Sequence, residues 1–166
     1  MRRENKSMKN KLKVGIVGAP RGQSFIRSFQ AIEETDVIAI CDLNIDVVEG
    51  VASQFNIDQK YTEFEKMVQS DLDIVVVSTP MPLHAPQSTL ALQEGKHVIS
   101  EVPAATDLQQ CWELAKSVEN SKKKYMMAEN YVYTRENILI RELAMQGLFG
   151  DIYFGEGQYI HELKSL

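Results

Sequence analysis

Leu12-Lys-Val-Gly-Ile-Val17 runs straight into Gly18-Ala-Pro-Arg-Gly-Gln23, and the reading of these twelve residues decides the fold. A short apolar run that stops at a glycine reads as a buried strand. Ser24 to Glu33 then returns Phe25, Ile26, Phe29 and Ile32 at helical spacing. Strand, glycine-bearing turn and helix open a βαβ unit. In a doubly wound sheet that turn is where backbone N–H groups and a helix N-terminus face a pyrophosphate. Gly18 supplies the turn, Gly22 allows close approach, and Arg21 adds a charged contact. Pro20 stands at the second glycine position of G-x-G-x-x-G and removes one N–H. The loop alone therefore divides evenly between a nucleotide site and an ordinary strand–helix turn.

Asp42 shifts that balance. It ends the next apolar run, Val37–Cys41, and follows Gly22 by 20 residues. An acid there accepts hydrogen bonds from the adenosine ribose hydroxyls and repels a 2′-phosphate. The pair of features predicts a dinucleotide site that prefers NAD to NADP. The competing reading makes Asp42 a helix N-terminal acid beside Asn44.

The same alternation continues along the chain. Asn44 caps a helix through Phe55 with Ile45, Val48, Val51, Ala52 and Phe55 as its apolar stripe. Thr62 and Glu65 form a capping box before a short helix. Ile74–Val77 is a β-branched strand, Pro80 and Pro82 enforce a loop, and a helix from about Pro86 to Glu94 closes at Gly95. His97–Ser100 is a strand. Thr106 with Gln109 opens a helix carrying Leu108, Trp112, Leu114, Ala115 and Val118, and Tyr125–Ala128 is a strand. Thr134 to Gln146 is a helix ending at Gly147. Ile152–Ile160 reads as a long alternating strand, unlike the buried runs before it. Strands alternating with helices predict an α/β fold: a Rossmann-type doubly wound parallel sheet, followed by the first strand of a second α/β domain. The expected division is a flexible basic N-terminus over 1–11, a nucleotide-binding domain over 12–130, and the start of a substrate domain, cut short, over 131–166.

Composition limits the alternatives. Of 166 residues, 44% are hydrophobic and 25% charged, which is ordinary globular usage and excludes a disordered or disulfide-scaffold chain. The net charge is −5, yet Arg2, Arg3, Lys6, Lys9, Lys11 and Lys13 crowd the first thirteen residues, so the remainder is more acidic than the whole. An acidic body argues against nucleic acid as a partner. No apolar run reaches the ~20 residues of a membrane span, and no apolar segment follows the basic head as in a secretory signal. Cys41 and Cys111 lie in apolar segments without metal-ligand spacing, which predicts buried reduced thiols and a cytoplasmic location.

Several segments resemble the Gfo/Idh/MocA family of NAD(P)-dependent oxidoreductases: Leu72-Asp-Ile-Val-Val-Val-Ser-Thr-Pro80, the following His84, Ala91-Leu-Gln-Glu-Gly-Lys-His-Val98, and Glu101-Val-Pro103. The resemblance implies a Rossmann domain followed by an α/β domain with a large open sheet, through which a longer chain assembles as a homo-oligomer. Sugar dehydrogenases of the family carry Glu-Lys-Pro, whose lysine helps move the substrate hydroxyl proton. Here the middle residue is Val102, which exchanges no proton. Glu101–Ala105, Glu129-Asn130, Tyr133, Arg135-Glu136, Gln146–Asp151 and Tyr159-Ile160-His161 are similar to an NAD-dependent glycosidase branch of the α-N-acetylgalactosaminidase type. That branch oxidises a sugar hydroxyl transiently, eliminates the glycosidic group, adds water and reduces the ketone again. Such enzymes stand outside the two-carboxylate rule of glycoside hydrolysis.

The resemblance also implies residue roles. Arg21-Gly22 and Asp42 contact the adenosine half of NAD. Met81, Pro82, Leu83 and His84 line the nicotinamide side, where the branch carries a bulkier aromatic pair flanking an acid. Glu101, Val102 and Asn130 touch the cofactor. Tyr159 and Tyr133 meet the sugar, and His161 and Glu129 are the candidate acid–base groups. Each has a plainer reading: His84 as a helix cap, His161 as a surface residue, Glu129 as a partner of local backbone donors, the tyrosines as packing. Trp112 and Cys111 read as core or interface. Two functions follow, an enzyme domain acting on a sugar or glycoside and a nucleotide-binding module without turnover. The 166 residues alone are expected to be inactive, because Tyr159 and His161 sit on a strand without its sheet.

Overall fold

The computed structural model describes residues 11–158 and 160. They fall into two compact units, Met1–Ala128 and Glu129–Leu166. The first unit contains β1 (Leu12–Val17), α1 (Ala19–Gln30), β2 (Thr35–Cys41), α2 (Ile45–Phe55), β3 (Gln59–Tyr61), α3 (Phe64–Val68), β4 (Ile74–Val77), α4 (His84–Gln93), β5 (His97–Ser100), α5 (Leu108–Ser121) and β6 (Tyr125–Met127). Every pairing is parallel, and the strand order is β3-β2-β1-β4-β5-β6. This is the doubly wound order, with its switch point between β1 and β4, where such sheets bind ligands.

Two apolar layers cover the sheet. Val14 and Ile16 of β1, Val37 and Ile40 of β2 and Val76 of β4 pack with Ile26 and Phe29 of α1 and Val48, Val51 and Phe55 of α2. Val17, Ala39, Cys41, Val75 and Val77 pack on the opposite side with Phe64 and Met67 of α3, Ala91 and Leu92 of α4 and Leu114 of α5. The strands need no alternation because both faces are buried, which is why their sequences read as continuous apolar runs.

Val37 and Ile40 share a face although three residues separate them. The cause is a register shift: Val14 pairs with Val37, but Gly15 pairs with Ala39. Ile38 is the extra residue of a β-bulge, and it packs with the second layer. Past the bulge the parity of β2 is reversed, so Asp42 is delivered toward the α1 side.

Several local expectations are corrected. β3 was not expected; it carries little apolar signal and exists by pairing Gln59–Tyr61 with Ala39–Cys41. α3 starts at Phe64 with Glu63 at its N-cap and no side-chain cap bond, so Thr62 lies one residue too early for the capping box. α5 is capped by Asp107, whose carboxylate accepts the Gln110 N–H at 2.8 Å, rather than by Thr106. α1 ends at Gln30, which leaves Ile32 exposed, and Ile45, the first residue of α2, is exposed too. α5 packs through Leu114 and Val118. Trp112, 75% exposed, and Cys111 lie outside that contact, so neither joins the core.

The second unit holds a 3-10 turn at Tyr131–Tyr133 and α6 (Arg135–Met145). Residues 152–158 and 160 form no strand. An extended segment becomes a stable strand only through a ladder partner, and none pairs with it among the described residues. No helix among those residues is long and apolar enough to cross a membrane.

His97 opens β5, and its Nδ1 accepts the Lys124 N–H at 3.0 Å. Burial, then the cations Lys123 and Lys124, hold its pKa below the usual 6.5. The unfolded chain therefore binds the proton more readily than the folded one. The stability His97 contributes is complete above about pH 6.5 and is lost as the pH falls below it. Thermal unfolding of the wild type should lose more between pH 7.5 and 5.5 than that of His97→Gln. Equal losses would show that His97 has no part in the acid sensitivity.

Candidate nucleotide-binding site

The carboxyl ends of β1, β2 and β4 converge on one residue. Gly18 has φ +90°, and a Cβ there would lie 2.4 Å from the Ser78 carbonyl oxygen. Only glycine fits both the angle and the space. Its N–H donates to the Cys41 carbonyl at 2.9 Å, and the Ser78 N–H donates to the Val17 carbonyl at 2.9 Å. The buried Ser78 hydroxyl lies 2.7 Å from the Val17 oxygen and 3.0 Å from that of Gly18. Gly22 serves a different contact: a Cβ there would come within 2.6 Å of Ile16 Cγ2. Its missing side chain lets α1 lie directly on β1.

Above this junction opens a cleft of about 520 Å³. That volume lies in the range of small-molecule sites. Asp42 lines it from the end of β2. One carboxylate oxygen accepts the Ala19 N–H at 3.0 Å and the other the Asn44 N–H at 3.1 Å. Asp42 thus supports the start of α1 and the turn before α2. Each oxygen keeps a further acceptor lone pair, enough for a vicinal diol.

The first turn of α1 has few backbone donors to offer. The Ala19 N–H goes to Asp42, Pro20 has none, and the Gly22 N–H goes to the Gly18 carbonyl at 2.8 Å. Arg21 instead brings a guanidinium to the cleft wall. Its Nε donates to Glu101 Oε1 at 2.5 Å, across 80 residues of sequence. Glu101, 8% exposed at the end of β5, also accepts the Val102 N–H at 3.1 Å through its other oxygen.

The structure distributes the remaining candidates unevenly. Of Met81, Pro82 and Leu83, which form a 3-10 turn, only Leu83 lines the cleft. His84 is turned inward and is 2% exposed. Its Nδ1 lies 2.8 Å from the Pro103 carbonyl and its Nε2 2.6 Å from the Thr79 carbonyl. The imidazole therefore ties the loop after β4 to the loop after β5, and it does not line the cleft. Glu129, Asn130 and Tyr133 belong to the second unit. There Glu129 accepts the Tyr131 N–H at 3.0 Å, the Asn130 carbonyl accepts the Tyr133 N–H at 3.1 Å, and Tyr133 is exposed. Tyr159 and His161 lie outside the described residues.

Residues the sequence reading passed over also line the cleft: Leu43, Thr62, Phe64, Thr79, Pro80 and Gln87. Thr79 and Pro80 carried a signal, since they follow a strand at the switch point. Gln87 carried none. It reaches the cleft because α4 begins at His84, and its side-chain oxygen accepts the Thr79 hydroxyl at 2.7 Å.

Cys41 lies on the cleft floor. Burial, then the negative charges of Asp42 and Glu65, push its thiol up to about 12. A thiolate is the reactive form, so a disulfide reagent should modify Cys111 rapidly in the folded protein and Cys41 only after unfolding. Two equally fast thiols would contradict the buried position. Asp42 makes a second expectation: calorimetric titration should show NAD binding more tightly than NADP by about 1–3 kcal/mol, with Asp42→Asn removing most of the difference. Equal affinities in the wild type would remove Asp42 from ribose recognition.

The model of the oxidoreductase family with an NAD-binding Rossmann fold, Gfo/Idh/MocA, matches residues 12–129. An α-N-acetylgalactosaminidase from Shewanella oneidensis is 36% identical over 165 residues, covering 92% of this chain and 36% of that protein. A glycosyl hydrolase family 109 protein from Shewanella pealeana is 34% identical over the same shares. The chain thus spans about a third of the length of these relatives. Among solved structures, scyllo-inositol dehydrogenase from Lactobacillus casei superimposes with a TM-score of 0.81 at 24% identity, over 86% of this chain and 43% of that one. The WlbA dehydrogenase from Bordetella pertussis, solved with NADH and UDP-GlcNAcA, gives 0.82 at 24% identity, over 87% of this chain and 42% of that one. These two establish the shared fold. With the turn at Gly18, the acid at Asp42 and the matched family model together, the chain belongs to the Gfo/Idh/MocA oxidoreductase family and forms its NAD-binding Rossmann domain.

Proposed function

We propose that the gene product carrying this chain uses NAD for transient redox chemistry on a sugar, so that the net reaction is glycoside cleavage rather than dehydrogenation. Val102 is the observation that carries this reading. It follows Glu101 at the end of β5, where dehydrogenases of the family place a proton-carrying lysine. An apolar side chain there leaves ordinary alcohol oxidation without its acid–base group. The similarity to an α-N-acetylgalactosaminidase supports the same substrate class.

NAD, when bound, supplies a two-electron store that takes a hydride from a sugar carbon and gives it back. The chain's own groups do the rest. Asp42 orients the adenosine ribose, and Arg21 neutralises diphosphate charge. The Val102 side chain offers an apolar wall. Loss of the hydride and the hydroxyl proton makes a ketone on the sugar, which acidifies the neighbouring C–H. Removal of that proton would expel the glycosidic oxygen, water would add to the resulting double bond, and a hydride with a proton from an acid group would restore the hydroxyl. Each step needs a group that takes and returns a proton. His161 is the proposed carrier: a neutral imidazole accepts a proton near pH 7. Glu129 is the second proposed carrier, and Tyr159 and Tyr133 the proposed sugar contacts. We place the reaction in the cytoplasm, and the assembly in a homo-oligomer formed through the substrate domain's sheet.

The test is hydrolysis of an aryl α-N-acetylgalactosaminide by that gene product in heavy water. Transient oxidation predicts deuterium at the carbon beside the oxidised one and no net accumulation of NADH. Product with protium retained there would end the redox reading, and NAD binding without turnover of any glycoside would favour a binding module. His161→Ala should lower turnover by about 10²-fold, the usual worth of a general base, while NAD affinity stays unchanged. Near-normal turnover in that variant would remove His161 from the chemistry.

A further inference from the structure

His84 sets its two ring nitrogens against two oxygens of the same kind. Its Nδ1 lies 2.8 Å from the Pro103 carbonyl and its Nε2 2.6 Å from the Thr79 carbonyl. A carbonyl oxygen only accepts. A neutral imidazole carries one N–H and one bare lone pair, so it satisfies one of these oxygens and turns a lone pair on the other. Only the imidazolium, with a proton on each nitrogen, donates to both. Both spacings are short, as charge-assisted bonds are.

The surroundings oppose that charge without abolishing it. The ring is 2% exposed and belongs to the first residue of α4. Burial penalises a cation, and so does a helix N-terminus. The two carbonyls favour it. β4, the 3-10 turn and the rest of α4 carry no ionisable side chain. On the other elements around α4 the ionisable groups are Glu101 and Asp107 after β5, Cys111, Glu113, Lys116 and Glu119 on α5, and Glu65 and Lys66 on α3. Of these only Glu101 is buried, and its two oxygens accept from Arg21 Nε and the Val102 N–H. His97 opens β5 at the opposite edge of the sheet.

Thr79 connects the ring to the cleft, which it lines with Pro80 and Leu83. The first turn of α4 holds Thr79 twice, through the ring at its carbonyl and through the Gln87 oxygen, which accepts its hydroxyl at 2.7 Å. A ring that gives one proton to solvent keeps one carbonyl and repels the other. The tie between the loops after β4 and β5 then opens on one side.

We propose that His84 is a positioning residue for the nucleotide cleft: it works with both nitrogens protonated, and its deprotonation loosens the two loops and weakens NAD binding. It acts through the Thr79 and Pro103 carbonyls and touches no cofactor itself.

Nitrogen-15 spectra of the histidine rings of the purified chain, near pH 7 and without ligand, test the protonation. The chain has three histidines, and the signals missing from His97→Gln and from His161→Ala leave those of His84. Both of its nitrogens should carry a proton; one bare nitrogen would overturn the proposal. Calorimetric titration with NAD reads the consequence. Wild-type affinity should fall about fivefold between about pH 6.5 and 8.5, the scale of one hydrogen bond. His97→Gln should keep that fall, and His84→Gln should show none. A wild-type affinity level across this range, or an equal fall in His84→Gln, would overturn the proposal. Should His84→Gln fail to fold, the wild-type spectra still decide. Bound NAD should hold the His84 ring charged to higher pH, because the coupling is reciprocal. A ring titration that NAD leaves in place would show that the proton and the cofactor are independent, and the proposal would fall.

Discussion

Everything at the carboxyl edge of this sheet depends on the crowding at Gly18. A Cβ there would lie 2.4 Å from the Ser78 carbonyl oxygen, and the residue's φ of +90° is one that side chains rarely adopt. The absence of a side chain lets the ends of β1 and β4 close on each other, with the Ser78 hydroxyl bridging Val17 and Gly18. The Gly18 N–H bonded to Cys41 draws in β2 as well. Three strand ends locked by short backbone contacts make a rigid floor. The cleft exists because the loops that follow those ends must diverge from it.

Electrostatics on that floor is a matter of allocation. In many sheets of this kind the helix N-terminus presents bare N–H groups to phosphate. Here Asp42 occupies one and Pro20 deletes another, while the Arg21 side chain lines the cleft. A side chain moves where a backbone amide cannot. Pairing Arg21 with the nearly buried Glu101 compensates both charges. The same pair links the start of α1 to the end of β5.

His84 illustrates how a chemically versatile residue is assigned a structural place. Both ring nitrogens face carbonyl oxygens, those of Pro103 and Thr79. The side chain holds together the loops that follow β4 and β5. Its position at the carboxyl edge of β4 made it a plausible cofactor contact on sequence grounds. The first residue of α4 points inward, so the ring sits between those two loops.

The alternation of apolar runs with helical stripes was sufficient, without any partner residue in view, to specify a parallel α/β sheet. The strand Leu12–Val17, the turn at Gly18 and the acid at Asp42 were legible because each is a local pattern with its own spacing. The family-like segments from Leu72 to Pro103 were legible for the same reason. Only the tertiary structure decided which way Asp42 faces, since one extra residue at Ile38 reverses the parity of β2 and appears only in the pairing with β1. Only it joined Arg21 to Glu101, turned His84 inward, brought Gln87 to the cleft and made Gln59–Tyr61 a strand. It also formed no strand from residues 152–158 and 160. An alternating pattern states which residues would share a face, but a ladder forms only where a second strand supplies the hydrogen bonds. Local periodicity is written in neighbouring residues, whereas partners many residues apart are chosen by packing.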